Sequence, residues 1–209
     1  MRPNNKIGRL TYFVKGFILK NMKSKNQEIL DCARTLLIEE GSTGFSMRKV
    51  AQKLGMSLGN LQYYFPSRVK ILEGLLETDL EAYRLGFTAI QQVNNRGYDV
   101  LRGSIEQILG ESDVQDEVAV FRALFSFHEP EIVQTLNHYY QELYLLLEQG
   151  LAHLANKPQN SPQVKKAAAL LFPYLDGYVT TAGFLSLDRK EIAQLLAEQI
   201  WIIIETSNG

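Results

Sequence analysis

Apolar residues recur at helical spacing along nearly the whole chain, and no convincing run alternates apolar with polar residues as a half-buried strand would. That pattern predicts an all-α fold of about nine helices. Serines and glycines punctuate its first part. Ser24 caps a helix that carries Ile29, Leu30, Ala33, Leu36 and Leu37, and Gly41 stops it. Ser46 caps a short helix with Val50, Ala51 and Leu54 on its inner face, ended by Gly55. Ser57 caps another that stops before Pro66, because the residue ahead of a proline avoids the helical region. Pro66 suits the first turn of a fourth helix, where its missing N–H costs nothing. Ile71, Leu72, Leu75, Leu76 and Leu80 carry that helix on toward Val93.

Beyond "NNRG" at 94–97, helices are expected at roughly 98–110 and 114–127. A long one follows Pro130, with Ile132, Leu136, Tyr140, Leu143, Leu147 and Leu151 on one side. "NKPQNSP" at 156–162 is the clearest loop. A wide apolar stripe then runs from Val164 through Ala167, Ala168, Leu171, Phe172, Leu175, Tyr178 and Val179 to Ala182. Pro173, inside that stripe and close to Gly177, is expected to kink or break its helix. Asp188 caps a last helix that carries Ile192, Leu195, Leu196, Ile200, Ile203 and Ile204.

Charge divides the chain unevenly. Residues 1–70 hold thirteen Lys/Arg against four Asp/Glu, and residues 71–209 hold nine against nineteen. A basic end made for a polyanion, joined to an acidic body, fits this split. Residues 1–21 carry five basic residues and no acidic one. They fit a DNA-contacting arm, a membrane-surface segment, a disordered tail, or an extension ahead of a start at Met22. No stretch reads as a membrane span: "LTYFVKGFILK" is too short and too charged. The single cysteine, Cys32, excludes an internal disulfide framework, fits a reducing cytoplasm, and reads as a small buried hydrophobe.

Residues 46–65 have the spacing of a helix-turn-helix: a short helix, a glycine turn and a second helix packed across the first. Val50, Ala51 and Leu54 would meet Met56, Leu61 and Phe65, and small Ala51 lets the two helices approach closely. The residues left outside suit a reader of the DNA major groove. Such a helix enters amino end first, where free N–H groups favour phosphate, and Ser57 stands at that end. Gly59 would let the backbone come close, while Asn60 and Gln62 can hydrogen-bond base edges. The Tyr63 and Tyr64 hydroxyls can reach phosphates. Arg48 can meet a phosphate or a guanine, and Arg68 is placed for a phosphate.

The segment "SMRKVAQKLGMSLGNLQYYFPSRVKILEGLL" resembles the DNA-binding domain of the TetR family of bacterial transcription regulators. Ser46, Arg48, Ala51, Gly55, Ser57, Leu61, Phe65 and Arg68 fall where that family's pattern puts them, and the likeness extends over about residues 24–80. For the rest only length, helicity and order of elements agree. The resemblance implies a basic extension at 1–23, a DNA-binding domain at 24–85 and a ligand-binding and dimerisation domain at 86–209. It places DNA contacts at Ser46, Arg48, Ser57, Leu58, Gly59, Asn60, Gln62, Tyr63, Tyr64 and Arg68. One departure stands out. The family usually has tyrosine where this chain has Gln62, so Gln62 either reads a base or leaves the phosphate contact to Tyr63. Tyr64 stands where histidine is common, and its ring could instead pack on the fourth helix.

The resemblance further implies a cytoplasmic homodimer joined through its last two helices. Its partners would be double-stranded DNA with a pseudo-palindromic operator and a small-molecule effector, with no membrane. A repressor released by its effector is the main reading. An activator of the same family, and a helical ligand-binding or adaptor protein without operator binding, compete with it. Ile200, Trp201 and Ile204 are expected to leave apolar surface for the partner subunit to cover. Phe121, Phe125, His128, Tyr140, Tyr144, Phe172, Tyr174 and Tyr178 are candidates to line an effector pocket, although rings at helical spacing commonly serve as core. No cofactor or metal is expected, since His128, His138 and His153 lack metal-site spacing. Scattered carboxylates such as Asp113, Asp116 and Glu117 read as a solvated face. The sequence carries no G-x-S-x-G, H-E-x-x-H, phosphate-binding glycine loop or C-x-x-C, so enzyme signatures are missing.

Overall fold

The computed structural model describes residues 24–92, 96–110, 114–181 and 186–206. The expected extension at 1–23, Val93, Asp113 and Ala182 lie outside these residues. Nine helices and no strand are found among them: α1 Lys25–Gly44, α2 Met47–Lys53, α3 Leu58–Tyr64, α4 Arg68–Gln92, α5 Tyr98–Ile108, α6 Val114–Phe125, α7 Pro130–Ala155, α8 Pro162–Thr181 and α9 Arg189–Glu205.

Local signals set most of the boundaries. The hydroxyls of Ser24, Ser46 and Ser57 accept from the N–H groups of Gln27, Lys49 and Asn60, so each satisfies a donor that the first helical turn leaves open. At Gly41 the backbone leaves helical geometry (φ 65°, ψ −167°), and a last turn follows to Gly44. The start of α4 departs from expectation. Pro66 precedes the helix instead of forming its first turn, and the Ser67 hydroxyl accepts from Lys70 N–H at 3.3 Å. A side chain able to cap outcompetes the proline's favourable φ. Helix α8 continues through Pro173 to Thr181, neither broken nor ended by it. Ala169 and Pro173 both face outward, so the carbonyl that loses its donor can be hydrated instead.

The described residues group into two compact units, divided between Tyr83 and Arg84 within α4, between Val114 and Gln115 at the start of α6, and between Gln141 and Glu142 within α7. One unit joins α1, α2, α3 and the first part of α4 to Gln115–Gln141. Its core holds Ile29, Ala33 and Leu37 of α1, Val50 of α2, Leu61 of α3, and Ile71 and Leu72 of α4. From α6 and α7 come Leu124 and Ile132. Cys32 is half-buried instead of fully enclosed. Its Sγ lies 4.0 Å from the Val50 carbonyl oxygen, and burial pushes the thiol pKa up.

The other unit packs α9 on α5 and α8. Its core combines Leu101 and Ile105 of α5, Leu151 of α7, Val164, Ala167, Ala168 and Leu171 of α8, and Ala193, Ala197, Ile200 and Ile204 of α9. This corrects an expectation. Ile200 and Ile204 are 2% and 0% exposed, because Ala193 and Ala197 share their face and let α9 settle close onto its neighbours. Trp201 is half-buried against the same core. Large apolar side chains left outside in this unit include Leu170 and Tyr174 on α8 and Leu195 and Ile202 on α9, besides Ile108, Leu145 and Leu187.

Helix α9 begins with a reciprocal cap. The Asp188 carboxylate accepts from Glu191 and Lys190 N–H at 2.9 and 2.8 Å, and the Glu191 carboxylate accepts from Asp188 N–H at 3.0 Å. Those backbone donors, first Glu191 and then Lys190, hold the Asp188 carboxyl below the ordinary carboxylate range. A depressed pKa contributes stability above the unfolded-state value and loses it as pH falls through the folded-state value. Asp188→Ala should therefore lower the melting temperature at neutral pH, and the deficit should shrink as the solution is acidified through the carboxylate range. Thermal unfolding of both proteins across that window checks it.

Candidate nucleic-acid interface

Helix α3 has only seven residues, LGNLQYY, and its position is set from both ends. Upstream, Gly55 takes a left-handed conformation (φ 64°) that L side chains rarely adopt. Gly55 N–H donates to the Gln52 carbonyl at 3.1 Å and Met56 N–H to the Ala51 carbonyl at 3.0 Å, a paired closure that stops α2 and turns the chain back. Downstream, Phe65 N–H donates to the Leu61 carbonyl, and the Phe65 ring turns inward. Helix α4 approaches closely at Gly74, where a Cβ would stand 3.0 Å from Leu30 and 3.2 Å from the Phe65 ring. Leu61, wholly buried, is the pin of α3 and contributes roughly 1.5–3 kcal/mol by leaving water.

With Leu61 turned in, the rest of α3 faces out. Ser57, Gly59, Asn60, Gln62 and Tyr63 are exposed, while Leu58 and Tyr64 are half-buried. Tyr63 is 83% exposed, unusual for so large a ring, and meets Tyr64 edge-on with centroids 5.3 Å apart. Space is open where a Gly59 side chain would stand. Ser46 is half-buried at the start of α2, and Arg48 is exposed one residue into that helix. The structure thus brings Ser46, Arg48, Ser57, Leu58, Gly59, Asn60, Gln62, Tyr63 and Tyr64 onto two adjacent short helices.

The expected excess of positive charge takes a different form. Six of the thirteen cationic residues in 1–70 lie in 1–23, outside the described residues. Of the other seven, six are in ion pairs: Lys25–Glu28, Arg34–Asp79, Lys49–Glu40, Lys53–Glu39, Arg68–Glu129 and Lys70–Glu73. A hydrogen bond from Lys53 to Glu39 raises the ammonium pKa. Arg48 forms no ion pair with any described residue. Arg68 is half-buried at the head of α4, its guanidinium paired with Glu129 and lying 5.2 Å from the centre of the Phe127 ring. Glu129 and Phe127 had no signal in the sequence, because some sixty residues separate them from Arg68 and neither sits in a motif.

The candidate effector residues fall into separate groups. Phe121, Phe125 and Tyr140 pack together with Tyr139, whose burial the one-sided reading of α7 missed. In the other unit Tyr144 meets Phe172 edge-on at 5.6 Å, and Tyr174 stacks on Tyr178 at 6.5 Å. Burial and the Glu148 carboxylate push the Tyr144 phenol upward. Glu148 is itself buried, one helical turn beyond Tyr144. His128 is exposed in the α6–α7 connection, its Nδ1 at 2.8 Å from the Ser126 carbonyl oxygen.

Residues 29–75 match the family model described as bacterial regulatory proteins, tetR family. The chain is 28% identical, over 192 residues, to an uncharacterised helix-turn-helix type transcriptional regulator in the dhlA 5′ region of Xanthobacter autotrophicus. That match covers 89% of this chain and 93% of the relative. Among solved structures, a transcriptional regulator FadR from Bacillus subtilis, in complex with stearoyl-CoA, superposes with a TM-score of 0.66 at 18% identity, over 85% of this chain and 98% of its own. A regulator described as putative from Saccharomonospora viridis, in complex with choline, gives 0.65 at 21% identity, over 84% and 94%.

The Ser57 hydroxyl is the first attachment of α3, and its removal leaves Asn60 N–H without that acceptor. Ser57→Ala should cost about 1 kcal/mol of stability in urea unfolding, within the usual range for a lost N-cap.

Proposed function

We propose that this chain, which belongs to the tetR family of bacterial regulatory proteins, works as a homodimeric repressor that leaves its operator when a small molecule binds its helical body. The observation that carries this is α3: one apolar residue fully buried, and Asn60, Gln62 and the 83%-exposed Tyr63 turned outward beside a capped amino end. Exposed amide and phenol groups on a short, pinned helix match the donors and acceptors of base edges and phosphates. In this reading Asn60 and Gln62 touch bases, and Arg48 reaches a guanine or a phosphate. Tyr63 meets the backbone, and Arg68 meets a phosphate. The helix dipole and the free N–H groups beside Ser57 favour a further phosphate contact.

Two copies joined through α8 and α9 would cover Leu170, Tyr174, Leu195 and Ile202, which otherwise face water. Leu195 and Ile202 are seven positions apart, two helical turns along one side of α9. Two-fold symmetry then presents two copies of α3 to successive major grooves, roughly 34–36 Å apart, and calls for a pseudo-palindromic operator. For the effector, the ring groups around Phe121 and Tyr140 and around Tyr144 and Phe172 are the proposed contacts. The choline and stearoyl-CoA complexes of proteins with this fold support a ligand-responsive body. The effector works to the extent that it binds operator-competent and incompetent forms with different affinity. No described helix is long and apolar enough to cross a membrane, and a cytoplasmic setting fits the regulator reading.

Selecting bound sites from random DNA tests the core of the reading. Arg48→Ala and Asn60→Ala should each relax preference at particular base pairs by about 1–3 kcal/mol, whereas Arg68→Ala should weaken all sequences alike. Unchanged sequence preference in Asn60→Ala would remove its base-reading role. For assembly, Leu195→Glu combined with Ile202→Glu should convert a dimer to monomers in sedimentation velocity, and a dimer that persists would place the interface elsewhere.

A further inference from the structure

We propose that Glu129 is a built-in competitor for DNA at Arg68, a carboxylate standing where a phosphate would otherwise bind; this rests on the DNA-binding function proposed above. Arg68 differs from the other paired cations of residues 24–70. Lys25, Arg34, Lys49, Lys53 and Lys70 pair with carboxylates of α1 or α4, but the partner of Arg68 comes from the connection between α6 and α7.

That connection is held firmly enough to present Glu129 at a defined place. Ser126 and Phe127 N–H groups close the end of α6 onto the Ala123 and Leu124 carbonyls at 3.1 Å. The Glu129 carbonyl accepts from Ile132 and Val133 N–H at 3.0 and 3.1 Å, opening α7. Between them the buried Phe127 ring packs edge-on against Phe45, the residue just ahead of the Ser46 cap, with centroids 6.3 Å apart. The same ring backs the Arg68 guanidinium. Phe127 therefore acts as the anchor and Glu129 as the occupying anion.

A carboxylate offers a guanidinium the same two-oxygen, negatively charged face that a phosphate does, so one guanidinium serves one of them at a time. The Arg68 and Glu129 side chains are 41% and 32% exposed. An ion pair this open is weak enough for DNA to displace, so it sets affinity without forbidding binding. The consequence is regulatory. Helices α6 and α7 carry the ring group of Phe121, Phe125, Tyr139 and Tyr140, and whatever shifts these helices moves Glu129 toward or away from Arg68.

The test compares wild type with Glu129→Gln, Glu129→Ser, Arg68→Ala, the double variant Arg68→Ala/Glu129→Gln, and Glu131→Gln. The last makes the same charge change two residues further on. Binding to a fluorescent DNA duplex, the operator selected by wild type or otherwise a random sequence, is followed by anisotropy across a potassium chloride series. Both Glu129 variants should bind about two- to fivefold more tightly at low salt, the range of a partly exposed ion pair. That gain should shrink as potassium chloride rises and screens the pair that the substitution removes. It should not appear in the Arg68→Ala background or in Glu131→Gln. Wild-type binding that Glu129→Gln and Glu129→Ser leave untouched overturns the competitor alone. So does an equal gain in Glu131→Gln, or a gain that survives Arg68→Ala. Absence of DNA binding by all six proteins overturns the DNA-binding reading and the competitor with it.

Discussion

Burial of Leu61 and Phe65 beneath a seven-residue helix is the constraint on which the outward face of α3 depends. A helix of that length is marginal in water, because few of its hydrogen bonds offset the cost of starting it. It persists here because it is held at both ends and along its inner side. The Gly55 closure aims it, the Ser57 hydroxyl caps it, and Leu61 pins its middle. At the far end Gly74 brings α4 within contact of Phe65. The outward residues are consequently free of structural duty, and that is why Asn60, Gln62 and Tyr63 can be polar or aromatic at no cost to the core.

Electrostatics in this unit is governed by pairing more than by surplus. Lys49 and Lys53 on α2 are tied to Glu40 and Glu39 on α1, which spends their charge locally. Such pairs are partly exposed and individually weak, so they exchange readily with other anions. The face beside α3 is thus built from hydroxyls, amides, helix amino ends and the guanidinium of Arg48, which has no ion-pair partner among the described residues. A face of this kind suits sequence reading better than indiscriminate adhesion to a polyanion, since base edges reward direction where phosphates reward charge.

In the other unit, packing and exposure divide each of α8 and α9 lengthwise. Small residues decide which side turns in. Ala167 and Ala168 on α8, with Ala193 and Ala197 on α9, allow close approach and draw Leu171, Ile200 and Ile204 into the core. Larger apolar residues on the opposite sides, Leu170 and Ile202 among them, stay outside. The exposed apolar side chains of these two helices follow from that packing inside the unit.

What the sequence by itself determined was local: the all-α character, the caps at Ser24, Ser46, Ser57 and Asp188, the turn at Gly55, and the inward set of α1 and α4. Each of these depends on residues within a few positions of one another, where spacing and side-chain chemistry are enough. Ile200 and Ile204 were misread because their burial depends on alanines that carry little hydrophobic signal, and Ser67 displaced Pro66 through a single hydroxyl. The outward face of α3 was legible because its buried and outward residues alternate with helical periodicity. Only the tertiary structure decided that Glu129 meets Arg68, that Phe127 lies under the guanidinium, and that Tyr139 is buried while Leu195 is not. Those outcomes depend on helices far apart in the chain arriving at the same place, and long-range packing of that kind leaves no pattern in the neighbouring residues.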